Sequence, residues 1–209
     1  MTAAVAGPPL RKRNAHIWAH EPHDFYIEPT WCSQRLFAVE QFQGKIWDPA
    51  CGIGRIVDTA RSAGHIVDES DLIDRGRGYQ LDFLMSGATA PNIVSNPPFR
   101  VAEAFVRQAL KLADRKVAML LPTKWLQGDK RAKWLRDTPL RRVWFLCPRP
   151  SMPPGQVILA GQRPGGGRED FVWLVWLHGF DGHPEIRWLH REAISDGLAS
   201  FREKPERRA

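Results

Sequence analysis

The sequence predicts an α/β protein: a mostly parallel sheet with helices on both faces and an antiparallel hairpin at its C-terminal end. Three observations carry this. Short apolar runs alternate with helix-length stretches, the pattern of parallel strands joined by crossover helices. One junction, over 45–61, is a strand, a glycine turn and a helix in succession. The last two apolar runs, 142–146 and 171–177, are separated only by a Pro- and Gly-rich connection over 148–169, so they pair as a hairpin.

Taken in order, residues 1–20 lack periodicity and hold Gly7-Pro8-Pro9 and Arg11-Lys12-Arg13, which reads as a flexible basic arm. The folded domain spans 21–195, and the mixed-charge stretch over 196–209 is a disordered tail. Within the domain the pattern predicts a helix over 30–40, a strand over 45–48 and a helix over 54–63. A second strand covers 65–71, and a connection runs through 82–84. A strand over 92–95, a helix over 100–113, a strand over 116–121 and a helix over 129–136 complete the alternation. Trp173, Trp176, Trp188, His65 and His190 are expected in the core.

At 209 residues the chain fits one domain. With 43% hydrophobic and 25% charged residues it is an ordinary soluble globular composition. No apolar stretch is long enough to span a membrane, and the first residues hold no signal-peptide core. Cys32, Cys51 and Cys147 are scattered singly, which excludes a zinc cluster and fits the reducing cytoplasm. The net charge of +7 favours a polyanionic partner. Lys124, Lys130, Arg131, Lys133, Arg136, Arg141 and Arg142 crowd one short window with Trp125 and Trp134. That window is either a nucleic-acid surface or a solvated helix with its tryptophans in the core.

Asn96-Pro97-Pro98-Phe99 falls where an apolar strand ends. Each proline fixes its own φ and holds the residue before it extended. The loop therefore offers two acceptors with little freedom, the Asn96 side-chain oxygen and the Pro97 carbonyl. An exocyclic amino group has two hydrogens to donate, and Phe99 adds a flat apolar face. Upstream, Asp48-Pro49-Ala50-Cys51-Gly52-Ile53-Gly54 leaves a strand and enters a helix. Gly52 and Gly54 let the backbone approach a ligand without a Cβ clash. The loop matches neither the three-glycine dinucleotide pattern nor a phosphate-cradling loop with Lys and Ser/Thr. Asp48 at its start suits a cationic group instead. About 20 residues on, Asp71, with Asp74 as second choice, sits where an acid holds ribose hydroxyls. Asp82 and Phe83 pair an acid with an aromatic, suited to an adenine.

Together these segments resemble the class I S-adenosylmethionine-dependent methyltransferases that methylate an amino nitrogen, especially small phage- or prophage-type N6-adenine DNA methyltransferases. The resemblance covers about 24 to 189. It implies a Rossmann-like sheet of seven strands. It makes the 48–54 loop the cofactor motif and Asn96–Phe99 the catalytic motif. It implies that Asp71 binds the ribose, that Leu72 packs on the cofactor adenine, and that Asp82 accepts from the adenine amino group beside Phe83. It also implies that the segment holding Tyr26 and Glu28 closes over the methionine end. Many relatives carry Thr at the position of Glu28, so this residue either meets the methionine ammonium or faces solvent. The implied reaction is direct methyl transfer to a target base flipped out of duplex DNA. Lys124, Lys130, Arg131, Lys133 and Arg141 are the candidate DNA contacts. An RNA or protein-amide methyltransferase is the competing reading. Cytosine-5 chemistry is excluded, because it needs a thiolate and no Pro-Cys loop occupies the Asn96 region. The loops at 122–141 and 148–169 are the candidates for target recognition.

Overall fold

A computed structural model describes residues 24–162, 165 and 167–192; the basic arm over 1–20 and the tail over 196–209 lie outside the described residues. In chain order the elements are α1 (Thr30–Val39), β1 (Ile46–Asp48), α2 (Arg55–Ser62), β2 (Val67–Asp71), β3 (Tyr79–Gln80), β4 (Ala90–Ser95), α3 (Ala102–Leu112), β5 (Ala113–Pro122), α4 (Asp129–Arg136), β6 (Leu140–Cys147), α5 (Gly155–Leu159), β7 (Phe171–Leu177) and β8 (Glu185–His190). The strands form one sheet in the order β3-β2-β1-β4-β5-β7-β6-β8. β1 pairs in parallel with β2 and β4, and β4 with β5. β7 is antiparallel to both β5 and β6. The predicted architecture is therefore present, hairpin included.

The sheet has eight strands rather than seven. The extra one is β8, which pairs in parallel with β6 along the outer edge. Only Leu189 of this strand is buried; Ile186 and Trp188 are 60% and 59% exposed. The expectation that Trp188 and His190 are core residues is thus wrong, since both lie exposed on an edge strand. Trp173 and Trp176 are fully buried as expected, and His65 packs between Phe37 and Phe42.

The period-two alternation of the central strands divides the core between two faces. Val117, Met119 and Leu121 of β5 join Val172, Leu174 and Trp176 of β7 beneath α3 and α4. Ala118, Leu120, Trp173 and Val175 face α1 and α2. A strand buried on both sides reads as a continuous apolar run, which is why β5 and β7 are plain in the sequence. The buried indoles are satisfied: Trp47 donates to Ser70 Oγ (2.9 Å), Trp173 to the Cys32 carbonyl (3.0 Å) and Trp176 to Thr138 Oγ1 (3.0 Å). Trp144 donates to Glu40, 3.0 Å away, whose buried carboxylate also receives Lys116 (2.8 Å) and Arg142 (2.9 Å).

Strand order reverses direction between β1 and β4. Open α/β sheets bind ligands at such a switch point, outside the carboxyl ends of the strands. There the loop after β1 begins at Asp48 and the loop after β4 at Asn96, and Ser95 Oγ ties them by donating to Asp48 Oδ1 at 2.8 Å.

Candidate active site

A cleft of about 280 Å³ opens at this switch point, close to the lower end of the roughly 300–1,000 Å³ typical of small-molecule sites. Its wall on the β1 side is Asp48 to Ile53. Asp48 is 1% exposed and accepts from Ser95 and from the Ala50 amide (3.3 Å). Burial pushes its carboxyl up to about 8; the two hydrogen bonds oppose that shift, and the neighbouring charges of Glu28 and Asp71 add to it. Glu28 is likewise buried and pushed up to about 7. Two carboxyls that resist ionisation in one cleft suit a ligand bringing a positive charge.

Gly52 takes φ +54° and donates its amide to Asp71 Oδ2 at 2.8 Å, so the loop is pinned to the end of β2. A Cβ at Gly52 would come 3.0 Å from the Phe25 ring. Gly54 does something else. At φ +84° it sits under the guanidinium of Arg77, which bridges Asp58 (2.7 Å) and Glu69 (3.0 Å), and it does not line the cleft. Pro49, Ala50 and Cys51 line the wall, and burial pushes the Cys51 thiol up to about 12, which leaves it inert.

Asp71 stands at the end of β2 and accepts from the Gly52 and Ile73 amides and from Arg75 (2.7 Å). Leu72 beside it is 59% exposed on the cleft. Asp74 closes its own turn by accepting from the Gly76 amide (2.8 Å) and is not part of the cleft. Asp82 lines the cleft and caps a 3-10 turn by accepting from the Leu84 amide (3.0 Å). Phe83 is 2% exposed and packs edge-on against Trp47 (5.2 Å) and against Phe105 (4.6 Å), so it forms the floor.

The catalytic-motif loop is held from the opposite side by the chain before α1. The Asn96 amide nitrogen donates to the Tyr26 carbonyl (3.0 Å) and to Glu28 Oε2 (2.9 Å). Its oxygen is buried and has no donor among the described residues. Pro98 lines the cleft; Pro97 is buried behind it. Phe99 stacks on Tyr26 (5.9 Å, 9° between planes) and meets Phe171 at 5.8 Å, so part of its face is already taken.

Several residues that build the site were not singled out by sequence reasoning. Phe25 lies under the Arg75 guanidinium, 4.0 Å from ring centroid to carbon, and against Gly155. The 24–28 segment is strapped to the loop after β6: Ile27 donates to the Pro153 carbonyl (3.1 Å) and Gly155 to the Phe25 carbonyl (2.6 Å). No local pattern announces these contacts, because Phe25 and Arg75 are 50 positions apart and the strap joins segments more than 120 positions apart.

The basic window resolves mostly into local pairs. Lys124 pairs with Glu169 (2.7 Å) and Lys133 with Asp129 (2.9 Å). Arg131 pairs with Glu103 (3.2 Å) and stacks on the buried Trp125. Arg107 covers Trp134. Lys124 and Lys130 are exposed, near the cleft edge of the sheet. Arg141 is not near it. It begins β6, which runs in the same direction as β5, and lies over Phe180, so it sits at the opposite edge. No helix among the described residues is long and apolar enough to cross a membrane.

No protein-family model matches the chain, and no curated protein does. Solved structures do. A predicted RNA methyltransferase from Pyrococcus horikoshii superposes with a TM-score of 0.53 at 11% identity, over 78% of this chain and 93% of that one. The modification subunit of a predicted type I restriction enzyme from Vibrio vulnificus superposes with a TM-score of 0.53 at 12% identity, over 82% of this chain and 48% of the subunit. A predicted O-methyltransferase from Agrobacterium tumefaciens gives 0.50 at 11%, over 77% and 85%. At such identities the likeness is one of fold: the chain has the Rossmann-like fold of class I methyltransferases.

Proposed function

We propose that the chain is an S-adenosylmethionine-dependent N-methyltransferase whose acceptor is the N6 amino group of adenine in DNA. The observation that carries this is the Asn96 side-chain oxygen, a buried acceptor without a donor at the cleft. Buried polar atoms are rarely left unpaired without a reason. An amino group entering the cleft supplies the missing donor.

The residues present fit the cofactor. Asp48 faces its cationic methionine end, the Gly52 backbone leaves room for it, Asp71 takes the ribose hydroxyls, and Leu72 and Asp82 take the adenine. When bound, S-adenosylmethionine supplies an electrophilic methyl group. The chain's own part is positioning: the Asn96 side chain accepts an amino hydrogen and turns the nitrogen lone pair toward the cleft. A base in a duplex cannot reach this pocket, so the target is flipped out. The partner assignment to DNA rests on the motif and on the basic charge of +7.

Methyl transfer from labelled S-adenosylmethionine to duplex DNA, single-stranded DNA and RNA, followed by nucleoside analysis, tests the reading. The expected product is N6-methyladenine in DNA, reduced about 100-fold or more in Asn96→Ala, the scale of losing one preorganised polar contact to the reacting group. Label confined to RNA, or transfer unaffected by Asn96→Ala, would sink it.

A further inference from the structure

We propose that Glu28 is a positioning residue that sets the orientation of the Asn96 amide. The inference rests on the methyl-transfer reading above and names a residue for it outside the Asn-Pro-Pro-aromatic motif.

A primary amide presents one face that only donates and one that only accepts. A half-turn of the side chain exchanges them. In this site the choice is forced from one side. The Tyr26 carbonyl at 3.0 Å and Glu28 Oε2 at 2.9 Å are both acceptors, so both bind the amide nitrogen. Turning the amide over would set its oxygen against the Tyr26 carbonyl, which can only accept, and against the Glu28 carboxylate whenever that group is ionised. The oxygen is thereby turned away from those two acceptors, and nothing among the described residues donates to it. Tyr26 contributes through its backbone and cannot vary by side-chain replacement; Glu28 contributes through its side chain, so its identity matters.

Glu28 is 5% exposed, so it does not face solvent. A carboxylate buried to that degree is costly unless it is hydrogen-bonded. The bond to Asn96 answers that cost at the cleft itself. The other use for Glu28, direct contact with the methionine ammonium, makes a different demand. An ammonium site needs charge, whereas orienting Asn96 needs only an acceptor oxygen at that place.

Two variants separate these uses. Glu28→Leu removes the acceptor; Glu28→Gln keeps an acceptor oxygen and removes the charge. Turnover of methyl transfer, cofactor affinity by calorimetry, and the Asn96 side-chain amide resonances (assigned by their loss in Asn96→Asp) are measured for wild type and both. We expect Glu28→Leu to lower kcat on the order of 100-fold, as misplaced reacting groups do, with cofactor Kd unchanged. Glu28→Gln recovers most of that loss. The Asn96 amide pair shifts in Glu28→Leu and stays near its wild-type position in Glu28→Gln. Equal loss of cofactor affinity in both variants with kcat retained would overturn the proposal in favour of an ammonium site. So would an Asn96 amide signal that ignores both changes. Should the wild type methylate no nucleic acid, the methyltransferase reading fails, and the amide resonances still decide the role of Glu28.

Discussion

At the scale of single residues, the site is a place where ionisation is resisted. Burial holds Asp48 up to about 8 and Glu28 up to about 7, against about 4 for free carboxyls. A group whose folded pKa lies above its unfolded value stabilises the fold below the unfolded value and loses that contribution as pH rises through the folded one. The ligand-free protein is therefore expected to lose thermal stability between about pH 4 and pH 8. Glu40 works in the other direction. Burial would raise its carboxyl, but Lys116, Trp144 and Arg142 together hold it below the usual range, so its contribution disappears only at more acid pH. A cationic ligand selects the ionised form of Asp48. Cofactor affinity should thus strengthen from pH 6 to pH 8 with release of protons, and Asp48→Asn should flatten the dependence. Calorimetry in buffers of different ionisation enthalpy checks this, and a Kd independent of pH in the wild type would count against Asp48 as the cation's partner. The motif residues were legible in the sequence because prolines and glycines restrict the backbone locally. The role of Glu28 was not, because its bond to Asn96 spans 68 positions.

At the scale of elements, the closing segment 24–28 behaves as one strap with the loop after β6. Phe25 is its wedge. A Cβ on Gly155 would lie 2.0 Å from the Phe25 ring, and the ring's other neighbours, Gly52 and Arg75, leave it little room to retreat. Gly155→Ala should displace the ring at a cost of about 1–3 kcal/mol, typical of overpacking. Felt in full at the cleft, that is about fivefold to 150-fold weaker cofactor binding. Titration of the variant with S-adenosylhomocysteine measures it, and an unchanged Kd would show that the strap does not shape the cleft. Most elements were readable from the sequence, and for a physical reason. β4, β5 and β7 are buried on both faces and appear as apolar runs, while α3 shows a clear amphipathic period. Three elements went unread. β3 is two residues long, both exposed. α5 opens directly after Pro153-Pro154 and spans five residues. β8 buries little beyond Leu189 and carries its large side chains outward, so its pattern resembles a solvated stretch.

At the scale of the whole molecule, the fold brings every loop that matters to one edge. The carboxyl ends of β1, β2, β4 and β5 meet there, and the antiparallel β7 begins there. The connection after β6 leaves from the same edge, since β6 runs with β5. The net charge of +7 says that a polyanion is favoured but not where. Lys124 and Lys133 are engaged in exposed ion pairs, worth only about 0–1 kcal/mol each, so a phosphate can displace those partners cheaply. Lys124 and Lys130 stand exposed near the cleft edge, whereas Arg141 stands at the far edge, over Phe180. If DNA lies across the cleft, each lysine neutralises about one phosphate. Replacing either by Gln should then reduce the slope of log K against log salt by about 0.9, and the two should add. Arg141→Gln should leave the slope where it was, although all three changes remove one positive charge. Fluorescence titrations of duplex DNA over a range of salt concentrations read these slopes directly. Equal reductions in all three variants would mean that total charge, not the cleft edge, governs binding. A reduction in Arg141→Gln alone would place the nucleic acid at the opposite edge of the sheet, away from Asn96, and would break the link between the basic charge and the methyl-transfer site.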